Sequence, residues 1–520
     1  MKVSILQESF FPGAWEENYK KISTFYKKAC REKSDLAIVP GDALCGFDPL
    51  SLLDYSVCSD KISRLQKKLV QETNTATALV FDSPFALDGS FMPSLMLAVG
   101  GCIRFSTKQH PEADADMQAD IFEYEGKRIY FSYLSDWTLV TVGTQDDIPA
   151  DMAVLLDARL FKAGNETLLR HRMLDCLAKV FDEVVYVDQC GGQATTVLTG
   201  ASAFFSSGDC RLQLPYFEPA ACTFDTQDKP KGKVVRMPEE GQIALIHDAI
   251  VCCIRDYFRQ NGIKKAVLGL SGGIDSAVVL PLAVEALGRK NVFGLMMPSQ
   301  FSTGHSVEDA VKEAENLQIY YEIIPIKPLY DVFMKQLAPV FKDTPFGLAE
   351  ENLQARIRGN LLMATANKTG AMLLNTSNKS ESACGYGTMY GDLCGGMSVI
   401  GDLYKRQVYE LARYINRKKE IIPQNCIDKA PSAELRPGQQ DSDSLPPYDL
   451  IEKVLRMHLE EMKDEKEIVR SGVPKDVTVR VLDLFNKSAY KRRQAPPAIR
   501  LSETLLAVDV NIPPAYKKSR

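Results

Sequence analysis

A two-domain α/β protein whose second half is a doubly wound parallel sheet is the fold class this sequence predicts, and three observations carry it. The chain has 520 residues, too many for a single hydrophobic core. A polar, turn-rich stretch between Pro215 and Pro238 reads as a linker and puts a domain boundary near residue 235. Beyond it, apolar strands and amphipathic helices alternate as repeated βα units do.

In the first half, apolar runs predict strands at 3–6 and 36–39, with helices at 15–30 and 61–72. Strand signals then dominate, at 76–81, 95–105, 121–133 with a Glu125-Gly126 turn, 153–156, 184–187 and 196–205, with one helix near 167–181. That mixture predicts sheets covered by helices. In the second half the order is helix 241–258, strand 266–270, helix 276–287 stopped at Gly288, strand 291–297, helix 307–317, strand 321–326, helix 350–368 and strand 371–374. Pro281 lies inside one helix and should kink it or force a local adjustment. Ser306 with Asp309 three residues on resembles a capping-box start. The stretch 430–448, rich in Pro, Ser, Asp and Gln, is expected to be a mobile loop that packs no core.

Composition excludes several function classes. A net charge of -5 leaves no basic footprint for nucleic acid or anionic lipid. No apolar run reaches membrane-spanning length, and charged Glu8 follows Val3 to Gln7 too soon for a signal-peptide core. Thirteen cysteines, an odd number without C-x-x-C pairs, argue against a disulfide framework or zinc ribbon and for a reducing, cytoplasmic setting.

The chemistry concentrates in Gly269-Leu270-Ser271-Gly272-Gly273-Ile274-Asp275-Ser276. A strand feeds a helix through this turn, so backbone N–H groups gather at the positive end of a helix dipole, where phosphates bind. Glycines 272 and 273 let the backbone approach a ligand closely. The loop is neither a Walker A sequence nor a dinucleotide fingerprint. Asp275 beside a polyphosphate implies Mg²⁺ between them, so the loop predicts ATP-type nucleotide and metal together.

Further acids and cations follow in order. On the helix from 350, Asn352, Arg356 and Asn360 recur every four residues as a polar stripe beside the apolar Leu353, Ile357 and Leu361. Asn375 to Glu381 emerge from a strand's carboxyl end, where ligands bind in open α/β sheets. Glu381 is positioned to supply a second carboxylate for Mg²⁺. Tyr390-Gly391-Asp392 adds an acid on a glycine turn, and Lys405-Arg406 adds cations for phosphate charge.

These segments closely resemble the synthetase domain of glutamine-dependent NAD synthetases. The resemblance spans about 241–500 and rests on the glycine–serine loop, Glu351 to Asn360, Leu374 to Glu381, Gly401 to Leu411 and Pro431 to Gln439. It implies an N-type ATP pyrophosphatase, a Rossmann-like sheet of the adenine nucleotide alpha hydrolase type, over residues 236–520. It also implies that deamido-NAD and ATP form an adenylate, which ammonia converts to NAD with release of AMP and pyrophosphate. By resemblance, Gly269 to Ser276 hold phosphates, Asp275 and Glu381 bind Mg²⁺, Thr376 and Lys405 contact ATP, and Asn352, Arg356 and Lys491 contact deamido-NAD. Lys405 would offset charge as pyrophosphate departs. Ammonium is no nucleophile until it loses a proton, so Asp392 is the candidate to position and deprotonate it. Related single-domain synthetases carry Lys before Tyr-Gly-Asp; Met389 stands there in this chain. The family further implies a homo-oligomer with dimeric synthetase domains.

Residues 1–235 resemble the family's nitrilase-like glutaminase domain, an αββα sandwich, through Pro40 to Phe47 and Tyr186 to Gln193. That fold hydrolyses amides with Glu, Lys and Cys. The family reads Pro-Glu where this chain has Pro40-Gly41, and Leu134 occupies the nucleophile position. Asp42 is the nearest carboxylate, but a one-residue slip on a strand would turn it to the opposite face. Lys108 preserves the lysine. The expectation is that this domain no longer hydrolyses glutamine and that the enzyme takes free ammonia, with Cys45 the alternative nucleophile. Three other readings stay open. Glutamine could be used through a separate glutaminase, the acceptor could be a purine or tRNA base, or the chain could be a catalytically dead nucleotide-binding scaffold.

Overall fold

The computed structural model describes residues 1–48, 52, 55–87, 90–107, 120–134, 149–227, 241–342, 344–506 and 508–510. The chain divides into two compact units, Met1–Glu239 and Glu240–Arg520.

The first unit stacks two six-stranded sheets. One has the order β14-β1-β2-β3-β4-β5, formed by β1 (Lys2–Gln7), β2 (Leu36–Ile38), β3 (Ala78–Leu87), β4 (Ser90–Val99), β5 (Cys102–Ser106) and β14 (Ala220–Asp225). The other runs β13-β12-β9-β8-β7-β6, formed by β6 (Ile121–Tyr124), β7 (Lys127–Tyr133), β8 (Met152–Asp157), β9 (Glu183–Asp188), β12 (Ala203–Ser206) and β13 (Asp209–Gln213). A short hairpin, β10 (Cys190–Gln193) with β11 (Thr196–Thr199), stands apart. Val3, Ile5, Ile38 and Val80 meet Phe131, Val154, Leu156 and Val185 between the sheets. Alternate residues face outward to helices: Ala37, Leu79 and Phe81 to α1 (Trp15–Arg31) and α2 (Ser56–Glu72), and Ala153, Leu155 and Tyr186 to α3 (Asn165–Val180). This period-two partition across doubly covered sheets produces the αββα layering.

Three expectations are corrected here. The run 95–105 is two strands, because Gly100 and Gly101 at φ 64° and 77° reverse the chain. The run 196–205 breaks likewise at Gly200 and Ala201, with φ 67° and 52°. Residues 220–225, assigned to the linker, form a strand antiparallel to β1 with Lys2 opposite Asp225. Phe224 supplies the reason, since it is buried in the intersheet core.

The second unit has one parallel sheet of order β17-β16-β15-β18-β19. Its strands are β15 (Lys265–Gly269), β16 (Val292–Met296), β17 (Tyr320–Ile323), β18 (Ala371–Asn375) and β19 (Met397–Ser398). The helices are α4 (Gln242–Gln260), α5 (Ile274–Leu287), α6 (Gly304–Leu317), α7 (Lys327–Phe341), α8 (Leu348–Thr369), α9 (Lys379–Cys384), α10 (Lys405–Ile415) and α11 (Gln424–Asp428). Four more complete the unit: α12 (Tyr448–Leu459), α13 (Glu465–Arg470), α14 (Lys475–Lys487) and α15 (Ala489–Arg492). The strand order reverses between β15 and β18, and in such sheets the crevice at that reversal is the ligand site. Helix α5 continues through Pro281. Helix α6 starts earlier than expected, capped by Thr303, whose hydroxyl accepts from Ser306 N at 3.3 Å. The stretch 430–448 does pack core, contrary to expectation, because Leu445 is buried against Ile451 and Leu455 and Asp441 is buried as well, while Ser432, Ala433, Pro437 and Gly438 are exposed.

Candidate active site

Strand β15 ends at Gly269 and α5 begins at Ile274, so the connecting turn presents its N–H groups at the helix start. Two serines brace the turn. Ser271 Oγ and Ser276 Oγ lie 3.0 Å apart, Gly273 N donates to Ser271 Oγ at 3.2 Å, and Ser276 Oγ donates to Gly273 O at 3.0 Å. Gly272 is required twice over: its φ is 71°, and a Cβ there would sit 2.1 Å from Ser306 O. The loop is therefore clamped against the first turn of α6.

At the end of β18, Asn375 fixes two loops. Its amide donates to Asp392 O at 2.7 Å and Cys394 O at 3.1 Å, while its oxygen accepts from Ser377 N and Ser398 Oγ, both at 3.0 Å. Asn378 caps α9 by accepting from Glu381 N, and its amide donates to Asp275 Oδ1 at 2.9 Å. The cap ties the two strand ends together and aims Glu381 at Asp275. Lys405, the first residue of α10, places its Nζ between them, 2.6 Å from Asp275 Oδ2 and 3.1 Å from Glu381 Oε1. Burial pushes the Glu381 carboxyl up to about 8, and the Asp275 charge adds to this while Lys405 opposes it. Burial alone would lower the Lys405 ammonium, but the two acids more than reverse that and hold it protonated.

These groups line one cavity of about 320 Å³ within the second unit. It takes in Gly269, Leu270, Ser271, Gly273, Ile274, Asp275, Ser276, Thr376, Glu381, Asp392 and Lys405. Gly272 backs the loop instead of facing the space. Asp392 is exposed on the cavity wall, where desolvation by the surrounding protein raises its carboxyl above the usual range although Thr388 N donates to it at 2.6 Å. Asn352, Arg356 and Lys491 do not line this cavity. They gather behind it on the 385–392 turn: Asn352 Oδ1 accepts from Thr388 Oγ1 at 2.8 Å, Arg356 Nε donates to Met389 O at 3.3 Å, and Lys491 Nζ donates to Gly385 O and Gly387 O, each at 2.8 Å. The turn carrying Asp392 thus separates two polar clusters.

Four cavity residues escaped the sequence reading of individual sites. Arg358 donates through Nε to Met297 O at 3.0 Å, and burial lowers its guanidinium to about 10. Lys429 reaches Asp309 at 3.3 Å. Glu434 accepts from Ser306 Oγ at 2.7 Å and Thr303 Oγ1 at 3.0 Å, and Asp441 accepts from Tyr386 and Tyr448 hydroxyls at 3.1 and 2.8 Å. The last two belong to the stretch read as a loop; the resembling segment Pro431 to Gln439 was the signal that its polar groups point inward.

The positions of interest in the first unit are equally definite. Gly41 and Asp42 are not on a strand, since β2 ends at Ile38 and Asp42 has φ 56° in the following turn, so the alternation argument does not apply to them. Gly41 N donates to Asp157 O at 3.1 Å, and a Cβ at Gly41 would lie 3.1 Å from the Asp157 carbonyl carbon. Burial and the neighbouring Asp82 and Asp157 carboxyls drive Asp42 well above the carboxylate range. Leu134 is fully buried beside Tyr130, Leu174 and Leu177. Cys45 is 2% exposed, and burial with Asp82 and Asp42 nearby pushes its thiol up, away from the thiolate form. Lys108 lies outside the described residues.

A parallel sheet with a serine-braced glycine loop and acids at its switch point defines the second unit as a nucleotide-binding α/β domain. Residues 246–495 match the NAD synthase family model. A Synechocystis protein named glutamine-dependent NAD(+) synthetase is 36% identical over 94% of this chain and 94% of its own length. The solved glutamine-dependent NAD+ synthetase of Acinetobacter baumannii, in complex with ADP, is similar at TM-score 0.74 and 30% identity, covering 99% of this chain and 98% of that one. The synthetase of that name from Cytophaga hutchinsonii shares the fold at TM-score 0.83 and 15% identity, over 99% and 97% of the two chains. The chain belongs to the glutamine-dependent NAD(+) synthetase family, carbon–nitrogen ligases that join a nitrilase-like domain to a parallel-sheet synthetase domain. Among the described residues, no helix is long and apolar enough to cross a membrane.

Proposed function

We propose that the second unit amidates deamido-NAD at the cost of ATP, through an acyl-adenylate, and that the nitrogen comes from free ammonia. The observation that carries this is the convergence of Asp275, Glu381, Lys405 and Asp392 on one cavity with the glycine–serine loop. A carboxylate oxygen is a poor leaving group; attack on the ATP α-phosphorus with loss of pyrophosphate turns it into the bridging oxygen of an adenylate. The loop N–H groups and Ser271 and Ser276 bind the phosphates, and Lys405 offsets the charge that builds as pyrophosphate separates. Two carboxylates fit Mg²⁺, which prefers one or two acids plus phosphate oxygens; Asp275 and Glu381 would hold it, and it would neutralise the triphosphate. Asp392, ionised, takes a proton from ammonium, and the freed lone pair attacks the carbonyl carbon with AMP leaving. Asn352, Arg356 and Lys491 order the turn that carries this base, on the side assigned to deamido-NAD.

Ammonia as nitrogen source is supported by the first unit. A glutamate at position 41 would press on the Asp157 backbone, Leu134 is core, and Cys45 is kept a thiol. Deamido-NAD, ATP and Mg²⁺ with ammonium should give NAD and AMP, whereas glutamine should give little NAD and no matching glutamate. Glutamine-driven turnover with stoichiometric glutamate release would overturn this assignment. The names of the relatives favour a second reading, glutamine dependence, with ammonia supplied by an unorthodox or a separate glutaminase; glutamine-driven turnover by the chain alone would point to the first source, and turnover restored only by an added glutaminase to the second. Association of synthetase domains is supported by the apolar exposure of β17 and α7, where Tyr320, Val332, Phe333 and Val340 face solvent. Sedimentation at increasing concentration should show a dimer or a multiple of it.

A further inference from the structure

The Lys405 ammonium stands between the two acids assigned to the metal, and the surroundings hold it there. Its Nζ contacts both Asp275 and Glu381, its backbone N–H donates to Ser380 Oγ at 3.1 Å, and the Tyr448 ring lies 5.4 Å from Nζ. Asp275's other oxygen is taken by Asn378, and Glu381 Oε2 accepts from Asn378 N at 3.4 Å. The inward oxygens of both carboxylates are therefore spent on one lysine, which is 2% exposed. The ammonium opposes a divalent cation at those same oxygens, because the two positive groups would share a small space with at most two negative charges between them. The triphosphate changes that balance: its oxygens give the ammonium another partner and supply the metal with further ligands.

We propose that Lys405 is an exchangeable occupant of the cation site, so that divalent metal binds Asp275 and Glu381 only as the nucleotide's phosphates draw the lysine away. This rests on the reading of Asp275 and Glu381 as metal ligands. It deepens that reading by making metal and nucleotide bind as one thermodynamic unit. Reciprocity follows, since whatever factor the nucleotide adds to metal affinity the metal adds to nucleotide affinity. The exchange also keeps metal off the carboxylates before ATP arrives, when it would only block the site.

The test is Mn²⁺ binding to the full chain, followed by the electron-spin resonance of free Mn²⁺, with and without α,β-methylene-ATP, the Mn²⁺ chelated by the analogue alone being measured in protein-free solution and subtracted. For the unaltered protein, the analogue should strengthen Mn²⁺ binding by about tenfold or more, and Mn²⁺ should strengthen analogue binding by the same factor. Without nucleotide, Lys405→Met and Lys405→Gln should each bind Mn²⁺ about tenfold or more tightly than the unaltered protein. Equal nucleotide-free affinity in the unaltered protein and both variants would overturn the exchange, as would Mn²⁺ binding unaffected by the analogue. Adding Asp275→Asn to Lys405→Met should abolish the gain; a gain that survives would show the metal to lie elsewhere and sink the ligand assignment instead. A failure to form NAD would count against the proposed reaction alone, leaving the Mn²⁺ titration to stand on its own.

Discussion

Asp392 is the residue on which the amidation half of the proposed reaction turns. Desolvation raises its carboxyl, while Thr388 N and the Asn375 clamp on its carbonyl fix its position. An asparagine at 392 keeps an oxygen for Thr388 N, so Asp392→Asn should leave ATP affinity intact while ammonium-dependent kcat falls by roughly 10² to 10⁴. The base must be ionised to act, so the wild-type rate should rise with pH through a limb displaced upward from the ordinary carboxylate range. That limb should vanish in the variant. Undiminished turnover would remove the proposed role. Leu134 makes the opposite case, because its side chain is all packing. Leu134→Ala should destabilise the first unit by about 2–5 kcal/mol in denaturant unfolding, with the ammonium-dependent rate unchanged. A selective loss of rate without loss of stability would return this position to catalysis.

Between elements, His247 joins α4 to α5. Its ring is buried, with Nδ1 2.9 Å from Asp248 and Nε2 3.3 Å from Glu285, and it packs edge-on to Tyr414 of α10. Burial alone would lower the imidazole, but hydrogen bonds and charge from Asp248 and Glu285 raise it to about 9. A folded-state value above the unfolded value, about 6.5, gives stability that is complete below the unfolded value and is lost as pH climbs through the folded one. The stability difference between the wild type and His247→Gln should therefore shrink from about pH 6.5 to 9, measured by urea unfolding across that range. A difference independent of pH would contradict the charged pair.

The strands of the parallel sheet and the loop at its switch point follow from apolar runs punctuated by glycine, which report local geometry directly. Helix α7 was hidden because apolar residues stand all round it: Tyr330, Met334 and Leu337 pack on the core while Leu329, Val332, Phe333 and Val340 are exposed, so no polar face sets the core stripe apart. The stripe on α8 was visible, but its partners were not. Gly359 is pressed so close to the 390–391 turn that a Cβ would sit 2.9 Å from Tyr390 O, and buried Gln354 donates to Leu435 O. Arg358, between the counted stripe positions, was missed for that reason, and Glu434 and Asp441 because polar composition alone does not tell which groups turn inward.

At the level of the whole molecule, two units carry different fates of one family inheritance. The synthetase unit holds its acids, lysine and loop in one cavity, while the nitrilase-like unit has the αββα layers with Gly41 and Leu134 at the two positions that the proposed loss of glutaminase activity rests on. The proposed loss of the nucleophile would leave those layers intact, because Leu134 fills its place in the helix-covered core. Adenylation of the deamido-NAD carboxylate is the central step of the proposed reaction. Deamido-NAD labelled with ¹⁸O in that carboxylate should be incubated with the full chain, ATP, Mg²⁺ and ammonium, and the products analysed by mass spectrometry. One labelled oxygen should appear in AMP for each NAD formed, the other should remain in the amide, and pyrophosphate should carry none. Unlabelled AMP, label in pyrophosphate, or no AMP at all would contradict it.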